Sequence, residues 1–161
     1  MASPDVVVRD ARPTDTAFLV GLIRELAAYE NLESEVRADE GQLAEHLFGA
    51  RPVAQALVGC VDGRPAGYAL YFTTYSTFLT KPGYFLEDLI VTATDRGRGV
   101  GKALLVELAR RTVAAGYGRL EWSVLDWNAP AIAFYRSLGA VPLEDWTGYR
   151  LTGDALDRTG S

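Results

Sequence analysis

Two stretches of the chain carry side chains whose spacing suits chemistry, and their charges are opposite. Residues 25–45 hold seven acids, Glu25, Glu30, Glu33, Glu35, Asp39, Glu40 and Glu45, against one base, Arg37. Such a segment suits a cationic ligand, or forms a solvated acidic loop. The run Arg96-Gly97-Arg98-Gly99-Val100-Gly101-Lys102 leads from an apolar strand pattern into a helical one. A glycine turn of this kind binds anions, because its N–H groups face outward unobstructed and the helix N-terminus carries partial positive charge. It also serves as a purely structural turn. A Walker phosphate loop is excluded, since Ala103 follows Gly101-Lys102 where Ser or Thr is needed and Arg96 replaces the first glycine. The dinucleotide fingerprint fails as well: Gly97-x-Gly99-x-Gly101 lacks the final two-residue gap, and the turn lies far from the first strand.

The remaining reactive types are scarce. His46 is the only histidine and Cys60 the only cysteine, so a Cys/His zinc site or a disulfide framework cannot be assembled within one chain. His46 reads as a surface or packing residue, and Cys60, in an apolar strand, as an inert core residue. No metal is expected. Of the net charge of −5, residues 96–136 carry +4 while residues 1–95 carry −7 and residues 137–161 carry −2. An acidic chain disfavours nucleic acid, whose binding depends on Lys and Arg displacing counterions. The local basic block suits one small polyanion. No stretch approaches a membrane span, and Met1 to Asp10 lacks the order of a signal peptide, so a cytoplasmic protein without a membrane partner is expected.

At 161 residues with 48% apolar content, the chain has the size and balance of one domain over residues 1–161. Val6-Val7-Val8 predicts a first strand, and Phe18, Leu19, Leu22, Ile23 and Leu26 predict a helix capped by Thr14 or Asp15. A second short helix ends near Gly49. Strands are predicted over 54–61 and 66–73, joined by Asp62-Gly63, a dipeptide suited to a tight hairpin, and over 84–91. A helix follows the glycine turn and stops at Gly116. Residues 120–125 predict another strand, and Asn128 caps a helix through Leu138 with Gly139 as its stop. Residues 141–143 and 149–152 are expected to close the sheet, with residues 1–5 and 153–161 frayed. The class is α+β, a mostly antiparallel mixed sheet flanked by helices, in the order βααβββαβαββ.

The spacing Arg96-x-x-Gly99-x-Gly101 after Leu89-Ile90-Val91 resembles the GCN5-related N-acetyltransferases (GNAT). A second anchor is Trp127-Asn128-Ala129-Pro130 followed by Phe134-Tyr135-x-x-x-Gly139. Within that superfamily the chain is similar to diamine acetyltransferases of the spermidine/spermine or thialysine type. That similarity rests on Glu25-Leu26-Ala27-Ala28-Tyr29-Glu30, Tyr71-Phe72-Thr73-Thr74-Tyr75, Phe85-Leu86-Glu87-Asp88 and Trp127-Asn128. One departure is Phe78, where the diamine pattern has tryptophan.

The resemblance implies a GNAT-like domain that moves an acetyl group from acetyl-CoA to a primary amine of a small diamine, polyamine or lysine-like molecule, in a direct ternary complex and as a homodimer. Arg96 and the backbone amides of Arg98, Gly99, Gly101 and Lys102 would hold the pyrophosphate. Leu89 and Val91 would pair with the acetyl and pantetheine arm, Asn128 would reach the pantetheine, and Tyr135 would face the thioester sulfur. Glu87 would take the ammonium proton and Tyr135 would protonate the thiolate. Strand alternation puts Glu87 and Asp88 on opposite faces unless a bulge intervenes. Tyr29, Glu30, Glu87 and Asp88 would bind the acceptor. Another amine acceptor (a protein N-terminus, an aminoglycoside, an amino acid), a non-catalytic acyl-CoA-binding module and a nicotinamide-binding domain are the alternatives.

Overall fold

β-Branched and aromatic runs bounded by turn residues form the sheet, in chain order. A computed structural model of the chain describes residues 5–161. The strands are β1 (Val6–Asp10), β2 (Gln55–Val61), β3 (Arg64–Ser76), β4 (Lys81–Val91) and β5 (Leu120–Trp122). The sheet order is β1-β2-β3-β4-β5, antiparallel except for the parallel β4–β5 pair. Asp62 and Gly63 make the β2–β3 turn with φ of 50° and 78°, as that dipeptide requires. Helices α1 (Thr16–Tyr29) and α2 (Glu40–Phe48) lie between β1 and β2, and α3 (Val100–Ala114) lies between β4 and β5. The chain divides into two compact units, one ending at Ser123 and one beginning at Val124.

Each face of the sheet has its own cover. Leu19 and Leu22 of α1 and Leu47 of α2 join Val58, Cys60, Tyr68 and Ile90 in one buried cluster. Against the other face lies α3, with Val100, Leu104 and Leu108 buried. Gly59 and Gly67, paired across β2 and β3, sit beneath Val100, where added Cβ atoms would come within 2.7 and 3.2 Å of its Cγ1. The two glycines therefore let the N-terminus of α3 approach the sheet closely.

The second unit contains α4 (Ala129–Ser137) and α5 (Gly153–Gly160). Asn128 caps α4, its side-chain oxygen accepting from Ala131 N–H at 3.4 Å, and Gly139 at φ 86° closes it. The strands expected over 141–143 and 149–152 do not form. Pro142 removes a ladder donor from the first, and neither segment pairs with another strand. Residues 153–160, expected to fray, are helical instead, while residues 1–4 of the other expected frayed end lie outside the described residues. The fold is α+β, in the expected order as far as α4. No described helix is long and apolar enough to cross a membrane.

Candidate acyl-CoA turn and acceptor cleft

The glycine turn is held from beneath by a buried carboxylate. Asp95 is 1% exposed and accepts from Arg64 (2.9 and 3.0 Å), Thr92 (2.7 Å) and Arg98 (3.0 Å). Those donors, Arg64 foremost, hold its pKa far below the usual carboxylate range. Above this knot, Gly97 (φ 76°) and Gly99 (φ 88°) adopt the left-handed backbone that favours glycine, with open space where a Cβ would stand.

The first intrahelical bond of α3 runs from Ala103 N–H to Gly99 O (2.9 Å). The N–H groups of Val100, Gly101 and Lys102 precede it and have no intrahelical acceptor. Arg98 N–H turns inward to Asp95 O at 3.4 Å, and its guanidinium lies beside Asp95 and, at 3.9 Å, Asp62. Arg98 therefore serves the turn's own structure, and the outward cradle begins at Gly99. Among the described residues no ion pair engages Arg96 or Lys102, whereas Arg98, Arg110, Arg111 and Arg119 are all paired.

The end of β4 offers a second binding feature. On one side β5 stops at Trp122, opposite Leu86, so among the described residues no strand pairs with residues 87–91 on that edge. Thr92 N–H donates to Ala66 O on the other side. Backbone groups alternate direction along a strand, so those of Leu89 and Val91 face the open edge. Arg96 Nε reaches Val91 O at 3.4 Å, and its guanidinium lies 5.5 Å from the centre of the Tyr29 ring.

Glu87 and Asp88 do not alternate. The β3–β4 register passes from Leu70 opposite Asp88 to Tyr71 opposite Leu86, which makes Glu87 the extra residue of a bulge. The bulge breaks the strict alternation of the two carboxylates, and the charge of Glu87 acts on Asp88 and on Tyr68. Glu87 itself is exposed.

Asp88 and Glu30 meet in a cleft of about 200 Å³, walled by Ile23, Leu26 and Ala27 of α1 and shared with Glu35. No Lys or Arg lines it. Glu30 is placed there by the way α1 ends: Asn31 takes a φ of 58°, its N–H donates to Ala28 O (3.2 Å), and Leu32 N–H donates to Ala27 O (2.8 Å). Burial raises the pKa of both Glu30 and Asp88. For Asp88 the neighbouring Glu87 and Glu30 add to that rise, and a hydrogen bond from Tyr68 opposes it. Tyr68, buried in β3, is the site residue that sequence reasoning missed. Its type and position look like one more core residue, and the partner that gives it meaning lies in another strand.

His46 is exposed on α2 and Cys60 is buried, both as expected. Asn128 and Tyr135 lie on the second unit, Asn128 at the start of α4 and Tyr135 near its end beside the Phe134 ring (5.5 Å between centroids). Among the described residues no group of three His, Cys, Asp or Glu is arranged to hold a metal ion.

Comparison with known proteins identifies the family. The chain is 35% identical to thialysine N-epsilon-acetyltransferase of Bos taurus, over 94% of this chain and 95% of that one. It is 32% identical to L-ornithine N5-acetyltransferase NATA1 of Arabidopsis thaliana, over 92% and 85% of the two chains. Among solved structures, integron cassette protein VCH_CASS6 from the mobile metagenome of V. cholerae superposes with a TM-score of 0.80 at 25% identity, covering 99% of each chain. Residues 22–140 match the Acetyltransferase (GNAT) family, to which this chain belongs, and its chemistry is acetyl-CoA-dependent N-acetylation of an amine.

Proposed function

We propose that the acceptor is a small diamine, polyamine or lysine-like molecule, whose reacting amine lies near Glu87 while a second ammonium enters the cleft of Glu30 and Asp88. The observation that carries this reading is the cleft itself, with three carboxylates, an apolar α1 wall and no cation of its own. A carboxylate about 4 Å from an ammonium contributes roughly 1 kcal/mol in water, and more where solvent is partly excluded. The methylene stem of such a substrate suits Ile23 and Leu26. The relatives, named as acetyltransferases of thialysine and ornithine, fit the same chemistry.

Acetyl-CoA lies with its pyrophosphate on the N–H groups of Gly99, Gly101 and Lys102, near Arg96 and the turn that carries Arg98. Its arm runs along the open edge at Leu89 and Val91, and the family resemblance assigns Asn128 to the pantetheine. Glu87 accepts the proton of the reacting ammonium, directly or through water, so that the nitrogen lone pair attacks the thioester carbon. Leu89 N–H donates to the oxygen that gains charge. As the C–S bond breaks, Tyr135, to which the family resemblance assigns this step, gives its proton to the sulfur; the nitrogen loses its second proton to solvent, and solvent restores the tyrosine. Tyrosine and thiol have reference pKa values of about 10 and 8.5, so this donation helps while charge is still developing. The family resemblance also supports a homodimer.

Thiol release from acetyl-CoA, measured with a panel of amines, tests the acceptor. Diamines should be turned over with Michaelis constants about tenfold below those of monoamines of matched length. Equal constants would remove the diamine reading, and acetyl-CoA binding without turnover on any amine would leave a non-catalytic acyl-CoA module.

A further inference from the structure

Tyr68 is fully buried, 0% exposed, on the α1 side of β3. A buried phenol needs a hydrogen-bond partner. Here the partner is a side chain: the hydroxyl donates to Asp88 Oδ2 at 3.0 Å, across the β3–β4 pair. Burial, with the charge of Asp88 beside it, keeps the phenol protonated, so it acts on the carboxylate only as a donor. The other carboxylate oxygen, Oδ1, has no donor among the described residues, and Asp88 lines the acidic cleft.

We propose that Tyr68 is the positioning residue of the acceptor site: by holding Oδ2 of Asp88 it presents Oδ1 to the acceptor's ammonium and so sets the preference for a dication. This rests on the acceptor reading above. Every other titratable group facing Asp88 is an acid: Glu30 at the end of α1, Glu35 in the turn after it, and Glu87 in β4 itself. Tyr68 is thus the one described neighbour that favours the ionised form, the form that grips a cation.

Tyr68→Phe removes a single oxygen and keeps the ring. With a diamine, the Michaelis constant should rise about tenfold while kcat stays within about twofold, since an interaction with bound substrate is lost and the chemistry is not. The acid limb of kcat/KM should move about one pH unit upward, the size of effect a hydrogen bond to a charged group carries. In an Asp88→Asn background, Tyr68→Phe should cost nothing further. Asp88→Glu, which keeps the charge but displaces it from the phenol, should also raise the diamine constant, by at least about fivefold.

An unchanged acid limb and Michaelis constant in Tyr68→Phe, in an enzyme that does prefer diamines, would overturn the role of Tyr68 alone. So would a wild-type constant in Asp88→Glu, should the phenylalanine variant fail to fold. Indifference of the wild-type enzyme to the second charge would overturn this proposal together with the acceptor reading.

Discussion

Asp88 in β4 and Asp95 in the turn that follows are the same residue type, seven positions apart, in opposite surroundings. Asp95 is enclosed by two guanidinium groups and a threonine hydroxyl, which lower its pKa and spend all its hydrogen-bonding capacity inside the protein. Asp88 is enclosed by acids and a single phenol, and its pKa is raised by burial. The first carboxylate fastens the loop that bears Gly97 and Gly99. The second has no cation beside it among the described residues, so its charge costs folding free energy, a cost that the proposed substrate ammonium would offset. A buried acid without a counter-ion, in a cleft, marks a site, and a buried acid with several marks a strut. On the proposed reading, the basic turn and the acidic cleft divide the work between an anionic and a cationic ligand.

The largest expected effect separates the two halves outright. Gly99→Glu places a side chain and a negative charge over the N–H groups of α3, in left-handed backbone that suits glycine. Acetyl-CoA affinity should fall at least about 100-fold, which titration calorimetry would read. Gly99→Ala, which adds strain without charge, should lose about tenfold or less. If Gly99→Glu binds acetyl-CoA as wild type does, the turn is only structural and the comparison collapses.

The two regions differed in legibility for physical reasons. Positive φ at Gly97 and Gly99 and a helix start at Val100 leave a local signature that spacing reveals. The cleft is made by non-local events. The bulge at Glu87 arises from the β3–β4 register, and residues 86–88 alone do not encode it. Tyr68 and Asp88 meet only because two strands pair. Asn31, whose left-handed conformation aims Glu30, carried a signal that went unread, since asparagine is the commonest non-glycine residue in such caps.

Charge counting misled in part as well. Arg98, Arg110, Arg111 and Arg119 supply four of the seven bases in residues 96–136, and all four are tied up in ion pairs within the fold. The turn's appeal to an anion therefore rests on its N–H groups with Arg96 and Lys102. Over 141–152 the apolar pattern predicted strands, yet neither segment pairs with the sheet, and Pro142 withholds a ladder donor from the first.

A smaller effect probes the cleft. Glu30→Gln should raise the Michaelis constant of a diamine about fivefold and that of a matched monoamine less than twofold. Added salt should narrow the difference by screening the pair, more weakly than at an open surface because Glu30 is partly buried. A uniform rise for both amines would show that Glu30 shapes the cleft rather than reading the second charge.

The smallest effect is on stability, and its sign distinguishes the two aspartates most cleanly. A carboxylate with a lowered native pKa stabilises the fold above its unfolded pKa of about 4, and that contribution fades as pH falls through the native value. Asp95→Asn should therefore lower the Tm at pH 7, with the deficit shrinking only in strong acid. A carboxylate with a raised native pKa does the reverse: the native state binds more protons than the unfolded chain, so stability declines as pH rises from about 4 through the native value. Asp88→Asn should consequently raise the Tm of the ligand-free protein at pH 7 by about 2–4 °C, equivalent to roughly 1 kcal/mol in a chain of this size. That gain should vanish below about pH 4, where Asp88 is protonated whether the chain is folded or not. The same substitution should weaken diamine binding, so stability gained and acceptor affinity lost come from one uncompensated charge. Thermal melts of both variants across pH 3 to 7 would read the signs, and a matching fall in Tm for the two at pH 7 would mean that Asp88, like Asp95, is a strut.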